Sequence, residues 1–314
     1  MGQDIPVIRT IDELISRARE ISSQHSPQRV AVAAAHDDAV IDAVLGAREA
    51  GIAESILIGN AQKIALFLEE RGVKPGDFQI IGTESDEETA EKVAETVAGG
   101  KANIILKGII STPKLLKKVL QAKYDLRRKG LLSHAAVLFP RRYPKLLVVT
   151  DGGMVIKPTF EQKVEIVRNA CLVGWALGIR EPKVAVLTPV DYIVPDFPET
   201  FEAASLSKMA QRGQIKSCVI DGPMSFDTAV WPAAVTYQGI KSEVAGQADI
   251  VVAGTIEEGN ILAKSLVQFG GAAFAGVIVG AKVPMSLVSR ADPAFNKMAS
   301  VALAVVVSHY IRTR

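Results

Sequence analysis

Cysteine is scarce in this chain. Only Cys171 and Cys218 occur among 314 residues, each inside an apolar run, NACLVGWAL and IKSCVIDG. That excludes a disulfide framework and a CxxC metal pattern. Both are expected as reduced core residues of a cytoplasmic protein. The four histidines, His25, His36, His134 and His309, stand far apart with no HExxH spacing, so no metal site is expected. Neither sign of charge dominates. Lys and Arg number 36 against 34 Asp and Glu, for a net charge of +2, which gives no reason to expect nucleic acid or a membrane surface as partner. Long hydrophobic runs are missing too. No stretch reaches the roughly 18 uncharged apolar residues of a membrane span, and the longest, 299–307, has helix-core length. The opening MGQDIPVIRT carries an acid and lacks an apolar centre, which argues against a signal peptide. No Walker A sequence, no GxGxxG after a strand and no GxSxG elbow occurs. Their absence argues against an ATPase, a standard dinucleotide enzyme and an α/β-hydrolase.

What is present is ordinary globular material, 48% hydrophobic and 22% charged, long enough for two domains at roughly 150 residues each. Short apolar runs at 29–35, 55–59, 79–81, 103–106, 135–138, 146–150, 183–187, 216–220, 249–253 and 276–279 predict strands. Longer amphipathic segments at 37–50, 61–71, 85–98, 112–121, 160–177, 199–211, 257–269 and 293–312 predict helices. Alternation of this kind predicts α/β architecture, with parallel sheets covered by helices on both faces. The strands are too many for one small sheet, so two α/β lobes are expected. Turn-rich stretches near 127–133 and 280–284 place the boundaries. The first lobe is then 1–132 with 283–314, and the second is 133–282.

Ligands in open α/β sheets bind beyond the carboxyl ends of strands, so strand ends carry the search for function. The most informative is VPMSLVSRAD, where an apolar run ends in Ser289, Arg290 and Asp292 before a helix opens at Pro293. A guanidinium fork beside a helix N-terminus suits a phosphate or carboxylate. A surface Arg–Asp pair is the plainer alternative. Lys107 follows the strand NIIL, and Ser111-Thr112 then begins a helix. Together they are either a phosphate cradle or a simple N-cap. Thr150-Asp151-Gly152-Gly153 ends LLVVT, where two glycines permit close backbone approach. Asp221-Gly222-Pro223 reads as a turn closing SCVI. In EEGNILAKS, Asn260 and Lys264 are four apart and share a helix face, followed by Ser265. That face could hold a phosphate or pantetheine group, or simply be solvated. The basic cluster 123–129 is either a solvated loop or the entrance for an anionic ligand.

Taken together, KGIISTPKLLKKVL, LLSHAAVLFP, VVTDGGMVIKPTFEQKVEIVRNA, SKMAQRGQIKSCVIDGPMSFDTAV, AGQADIVVAGTIEEGNILAKSLVQF and GVIVGAKVPMSLVSRADPAFNKMASVALA resemble the phosphate acetyltransferase/butyryltransferase family, nearer its butyryl branch. The resemblance runs in order from Lys107 to the C-terminus. It implies two α/β lobes of the isocitrate/isopropylmalate-dehydrogenase-like type with a cleft between them. It also implies transfer of an acyl group between coenzyme A and inorganic phosphate. Coenzyme A is then a substrate, with no metal and no further cofactor. Separately from the resemblance, the apolar terminal helix would suit a homo-oligomer, a common state. Ser289 and Arg290 match the serine–arginine pair at the phosphate and thioester site. Lys264 matches the lysine of the GN-x-x-x-K segment. Three departures stand out. The candidate base of the acetyl branch falls on Asn296, leaving Asp292 as the nearest carboxylate. E-A-G-N is replaced by Glu257-Glu258-Gly259-Asn260. Val155 stands where the family often has Asn. The alternative these leave open is a catalytically weakened CoA-binding paralogue. A β-decarboxylating dehydrogenase on the same fold would need an Asp cluster and a nucleotide loop, and neither motif is present.

Overall fold

The computed structural model describes residues 5–25, 28–128, 130–286 and 292–314. The chain divides into two compact lobes, Ile11–Lys129 with Ala275–Arg314 and Met1–Thr10 with Gly130–Phe274. Both are α/β, as the alternation of short apolar runs and amphipathic segments predicts.

In the lobe built from Ile11–Lys129 and Ala275–Arg314, the strands are β1 (Arg29–Ala33), β2 (Glu54–Gly59), β3 (Gln79–Gly82), β4 (Ile104–Lys107), β10 (Ala273–Val279) and β11 (Met285–Ser286). They run in the order β3-β2-β1-β4-β11-β10, parallel except for β10 against β11. Sequences such as RVAVA and IILK are apolar at successive positions because both faces of the sheet are covered. The covering helices are α1 (Ile11–Gln24), α2 (Asp38–Glu49), α3 (Ala61–Glu69), α4 (Asp86–Ala98), α5 (Thr112–Val119) and α11 (Ala294–Arg312). Local chemistry sets their starts. The Asp37 carboxylate accepts from Val40 N–H, and the Ser85 hydroxyl from Glu88 N–H. The expected capping box at Ser85 closes differently, with Glu88 accepting from Glu84 N–H, one residue before the cap. Helix α1 is not among the expected elements, although Leu14, Ala18 and Ile21 give it a buried stripe at helical spacing. Helix α11 is long and apolar enough, by length and composition alone, to cross a membrane. It is mostly buried, from Ala299 through Ser308, and packs against α1 and α2 as a core helix.

In the lobe built from Met1–Thr10 and Gly130–Phe274, β5 (Ser133–Phe139), β6 (Leu147–Thr150), β9 (Ile250–Val252), β7 (Lys183–Leu187) and β8 (Val219–Met224) lie side by side in that order. Here β5 and β6 are antiparallel, and the remaining pairs are parallel. The helices are α6 (Phe160–Ala176), α7 (Pro198–Gln211), the short α8 (Phe226–Val230) and α9 (Pro232–Gln238), and α10 (Ile256–Gln268). Helix α6 opens on a capping box formed by Thr159 and Gln162.

Several expectations are revised. The sheets are mixed, because β5–β6 and β10–β11 are antiparallel neighbours. Strand β8 starts at Val219 and runs through Asp221-Gly222-Pro223 instead of ending there. Proline, lacking an N–H, is tolerated in β8 because β8 is an edge strand. The lobe boundaries also differ from 132 and 283. Ile8 N–H donates to Leu177 O at 2.9 Å, which ties the N-terminal residues to α6. The return to the other lobe falls within β10, at Ala275.

Candidate functional site

Four sequence segments carry the expected site residues, and the three that are fully described lie at the end of a strand or along a helix that starts there.

The turn after β6 is built around Asp151. Thr150 is fully buried, with its hydroxyl donating to His134 O at 2.8 Å and its carbonyl accepting from Ala253 N–H at 2.7 Å. The Asp151 carboxylate is 3% exposed and accepts three backbone N–H groups, from Gly153 (2.7 Å), Met154 (2.9 Å) and His134 (3.2 Å). A buried carboxylate is costly unless it is hydrogen-bonded, and here its bonds close the turn. Asp151 is therefore an organiser of the Thr150–Met154 backbone.

Helix α10 starts against that turn. A Cβ on Gly259 would fall 2.5 Å from Asp151 O, and one on Gly152 would fall 2.7 Å from Gly259 C. Only glycine on both sides allows two backbones to meet this closely. Asn260 Nδ2 donates to Gly152 O at 3.0 Å, pinning the helix to the turn. Glu258 lies beside this contact, and its carboxylate accepts from Gly254 N–H at 2.8 Å while Glu258 N–H donates to the Thr255 hydroxyl. The extra charge in EEGN thus caps the start of its own helix, where an anion is favoured by the macrodipole. Lys264 is exposed one turn beyond Asn260 and makes no ion pair with any described residue. Ser265 is roughly 13 Å along the axis from Ile256, at the opposite end of α10. Its carbonyl accepts from Phe269 and Gly270 N–H there. The structure therefore brings Thr150, Asp151 and Asn260 together, places Lys264 one turn further along α10, and leaves Ser265 apart.

In the lobe that contains α5, β4 ends at Lys107, which is 8% exposed. Its ammonium donates to Gly108 O (2.9 Å) and Ile110 O (3.1 Å), bracing the loop that leads into α5. A Cβ on Gly108 would lie 2.2 Å from Ala34 O, so this loop presses against the end of β1. Ser111 takes the N-cap position without a side-chain capping bond, and Thr112-Pro113 opens the helix. Their hydroxyls stand at a helix N-terminus, the arrangement that suits an anion.

Ser289 and Arg290 lie outside the described residues. Asp292 is described. It is partly buried, and its backbone carbonyl accepts from Lys297 Nζ at 2.5 Å. Lys297 itself is 3% exposed in the first turn of α11, away in sequence from any strand end. Its only sequence signal is a lone cation near the start of an apolar helix. Among the described residues, no group of three or more His, Cys, Asp or Glu is placed to hold a metal ion. The two cysteines are free thiols, both buried. The neighbouring Cys171 thiol holds Cys218 below its usual range. The same contact, with burial, pushes Cys171 well up.

Strands of mixed direction in each lobe, a carboxylate-organised turn and helix N-termini at strand ends define an α/β protein. Comparison with known proteins makes this specific. The family described as "Phosphate acetyl/butaryl transferase" matches residues 10–98 and 89–305. Phosphate butyryltransferase of Clostridium acetobutylicum is 38% identical over 96% of this chain and 99% of its own length. Phosphate acetyltransferase of Thermotoga maritima is 40% identical over 89% of this chain and 95% of its own. Among solved structures, a branched-chain phosphotransacylase from Enterococcus faecalis superposes with a TM-score of 0.80 at 31% identity, covering 90% of this chain and 99% of that one. A 4-hydroxythreonine-4-phosphate dehydrogenase from Klebsiella pneumoniae (TM-score 0.56, 13% identity, 90% of this chain and 100% of that one) shares the fold alone. The chain belongs to the phosphate acetyl/butyryl transferase family.

Proposed function

We propose that this protein moves an acyl group of the butyryl or acetyl class between coenzyme A and inorganic phosphate, acyl-CoA plus phosphate giving acyl phosphate plus CoA. The observation that carries the reading is relatedness along nearly the whole chain to phosphate butyryl- and acetyltransferases. A phosphate oxygen attacks the thioester carbonyl carbon, the tetrahedral intermediate collapses, and the C–S bond breaks to release the CoA thiolate, which takes up a proton. In this reading Arg290 and Ser289 hold phosphate in a bidentate grip. Lys264 and Ser289 stabilise the developing oxyanion, where loss of one donor typically costs on the order of a hundredfold. Asp292 exchanges the thiol proton, because the thiolate is the nucleophile in the reverse direction. Lys107, Ser111, Thr112, Thr150, Asp151 and Asn260 shape the substrate-binding backbone. Their placement at strand ends and helix starts supports that role. Ser265, at the far end of α10, is the weakest member of the set.

The reaction so written uses acyl-CoA and phosphate alone, with no metal or prosthetic group. The reading extends to a cytoplasmic homo-oligomer. Free cysteines are in keeping with a reducing compartment, and exposed Tyr192, Phe197, Phe201 and Trp231 are apolar surface of the kind that assembly covers. The non-catalytic alternative is not favoured, and Glu258, one of its grounds, has a local capping role.

The test is phosphate-dependent release of CoA from a panel of two- to eight-carbon acyl-CoAs, followed with a thiol-reactive dye. Release that requires phosphate, strongest with acetyl- or butyryl-CoA, is the expected result. Folded protein that releases none across the panel would overturn the reading.

A further inference from the structure

Lys297 is a charged side chain where packing alone calls for an apolar one. It is 3% exposed and sits in the first turn of α11, the positive end of the helix macrodipole. An ammonium there gives up its hydration and is opposed by the helix itself. Methionine has similar length and would incur neither penalty. What the ammonium adds is a donor, and Nζ lies 2.5 Å from the backbone carbonyl of Asp292. The bond reaches back across Pro293 and ties Asp292 to a helix that is buried from Ala299 through Ser308. The start of that helix is itself fixed. The Ser300 hydroxyl donates to Asn296 O at 2.7 Å and accepts from Gly276 N–H of β10 at 2.9 Å. Asp292 therefore hangs from a chain of contacts that runs through Lys297 into the sheet.

We propose that Lys297 is the positioning residue of Asp292, holding its backbone so that the carboxylate meets the thiol proton of CoA. The inference rests on the phosphate acyltransferase reading above. Lys297 acts through Asp292, so its effect depends on the carboxylate being present.

The experiment measures kcat, KM for acyl-CoA and thermal unfolding for the wild type, Lys297→Met, Lys297→Arg, Asp292→Asn and the Lys297→Met/Asp292→Asn double variant. Misplacement of a reacting group by about 1 Å costs up to about a hundredfold, so Lys297→Met is expected to lower kcat by roughly tenfold to a hundredfold. Its KM is expected to stay within about twofold of wild type. Lys297→Arg, which keeps a donor of similar reach, restores most of kcat. In the Asp292→Asn background the Met substitution costs less than about twofold, since coupled residues are non-additive. A purely structural lysine gives the opposite pattern. Activity per folded molecule stays at the wild-type level, or the two losses multiply, and either result overturns the proposal. If Lys297→Met does not fold, Lys297→Gln, with a shorter donor, takes its place under the same criteria. A wild type without phosphate-dependent CoA release removes the functional reading, and this inference with it. An active wild type whose Lys297 variants are unimpaired removes the inference alone.

Discussion

Gly259→Ala puts one methyl group between two backbones. On an exposed helix interior, Gly to Ala is stabilising by roughly 1 kcal/mol, because alanine loses less chain entropy. Here the added Cβ falls 2.5 Å from Asp151 O and 2.9 Å from Gly152 Cα, whereas ordinary contact begins at 3.4 Å. The shortfall of about 0.9 Å must be met by moving backbone, since no flexible side-chain end is involved. A shift of that size lengthens the Asn260–Gly152 bond from 3.0 Å to beyond hydrogen-bonding reach. Overpacking costs about 1–3 kcal/mol and the lost bond about 0.5–1.5 kcal/mol, which together exceed the helical gain. The expected net is a loss of about 1–3 kcal/mol, read as a fall in Tm of roughly 2–4 °C per kcal/mol for a lobe of this size, with acyl-transfer kcat falling as the α10 start moves. Gly46→Ala is the control. It too lies within a helix, but its Cβ would meet the Met298 Sδ at 3.3 Å, a flexible end that can move aside. It is expected to be neutral or to stabilise by up to about 1 kcal/mol. Equal stabilisation of both variants, with unchanged kcat, would refute the claim that the turn and α10 are held at backbone contact.

Asp151→Asn keeps the shape but offers one carbonyl where two carboxylate oxygens accept three N–H groups. A buried donor left without an acceptor costs about 1–3 kcal/mol, so chemical denaturation should show at least that loss, and an unchanged midpoint would contradict the organising role. Glu258→Ala removes a helix cap and is expected to cost about 1 kcal/mol while leaving kcat within about twofold; a large change in kcat would place Glu258 in the chemistry. Acid sensitivity follows from His36 and His309. Both lie below the ordinary value of 6.5 in the folded state, chiefly through burial, with Lys63 adding to His36 and the stacked His25 to His309. The unfolded chain then binds the extra protons, so stability is intact above pH 6.5 and falls as pH drops below it. The His36→Gln/His309→Gln variant should show a flatter Tm between pH 6.5 and 5, and an unchanged slope there would rule these histidines out.

The alternation of apolar runs and amphipathic segments was enough to establish an α/β architecture in two lobes, because buried strands read as continuous runs. Other features are not carried by local pattern. Strand direction depends on connection geometry, so the antiparallel β5–β6 and β10–β11 pairs were not legible. The short β11 (Met285–Ser286) is too brief to show a period. The Asp221-Gly222-Pro223 triplet carries turn chemistry, but its place at the sheet edge lets the strand continue through it. At the candidate site, residue types singled out the segments, but their bonding emerged only in three dimensions. Asp151 stands at a strand end before two glycines in sequence, and in the fold its carboxylate holds a turn. Glu258 resembles an intruding charge, and in the fold it caps α10. Lys297 has no motif, since its meaning lies in a contact with a residue five positions earlier.

Asn296 sharpens the question of which carboxylate serves the thiol. It stands where the acetyl branch carries a candidate base, at the third residue of α11, and its backbone carbonyl accepts from the Ser300 hydroxyl. Asn296→Asp adds an anion to a first turn that has no acid, a change worth roughly 0.3–1 kcal/mol of helix stabilisation. Two readings of the rate then separate. If Asp292 handles the thiol proton, the new carboxylate adds stability without chemistry, and kcat in the direction of acyl-CoA formation stays within about twofold. If the base belongs at 296, restoring it raises kcat by the hundredfold or so typical of a positioned general base, and Asp292→Asn in that background becomes tolerable. The measurement is the pair of variants, single and combined, assayed for acyl-CoA formation alongside thermal unfolding. A stabilised, kinetically unchanged Asn296→Asp with an inactive Asp292→Asn keeps Asp292 as the base; a faster Asn296→Asp that rescues Asp292→Asn would dismiss it.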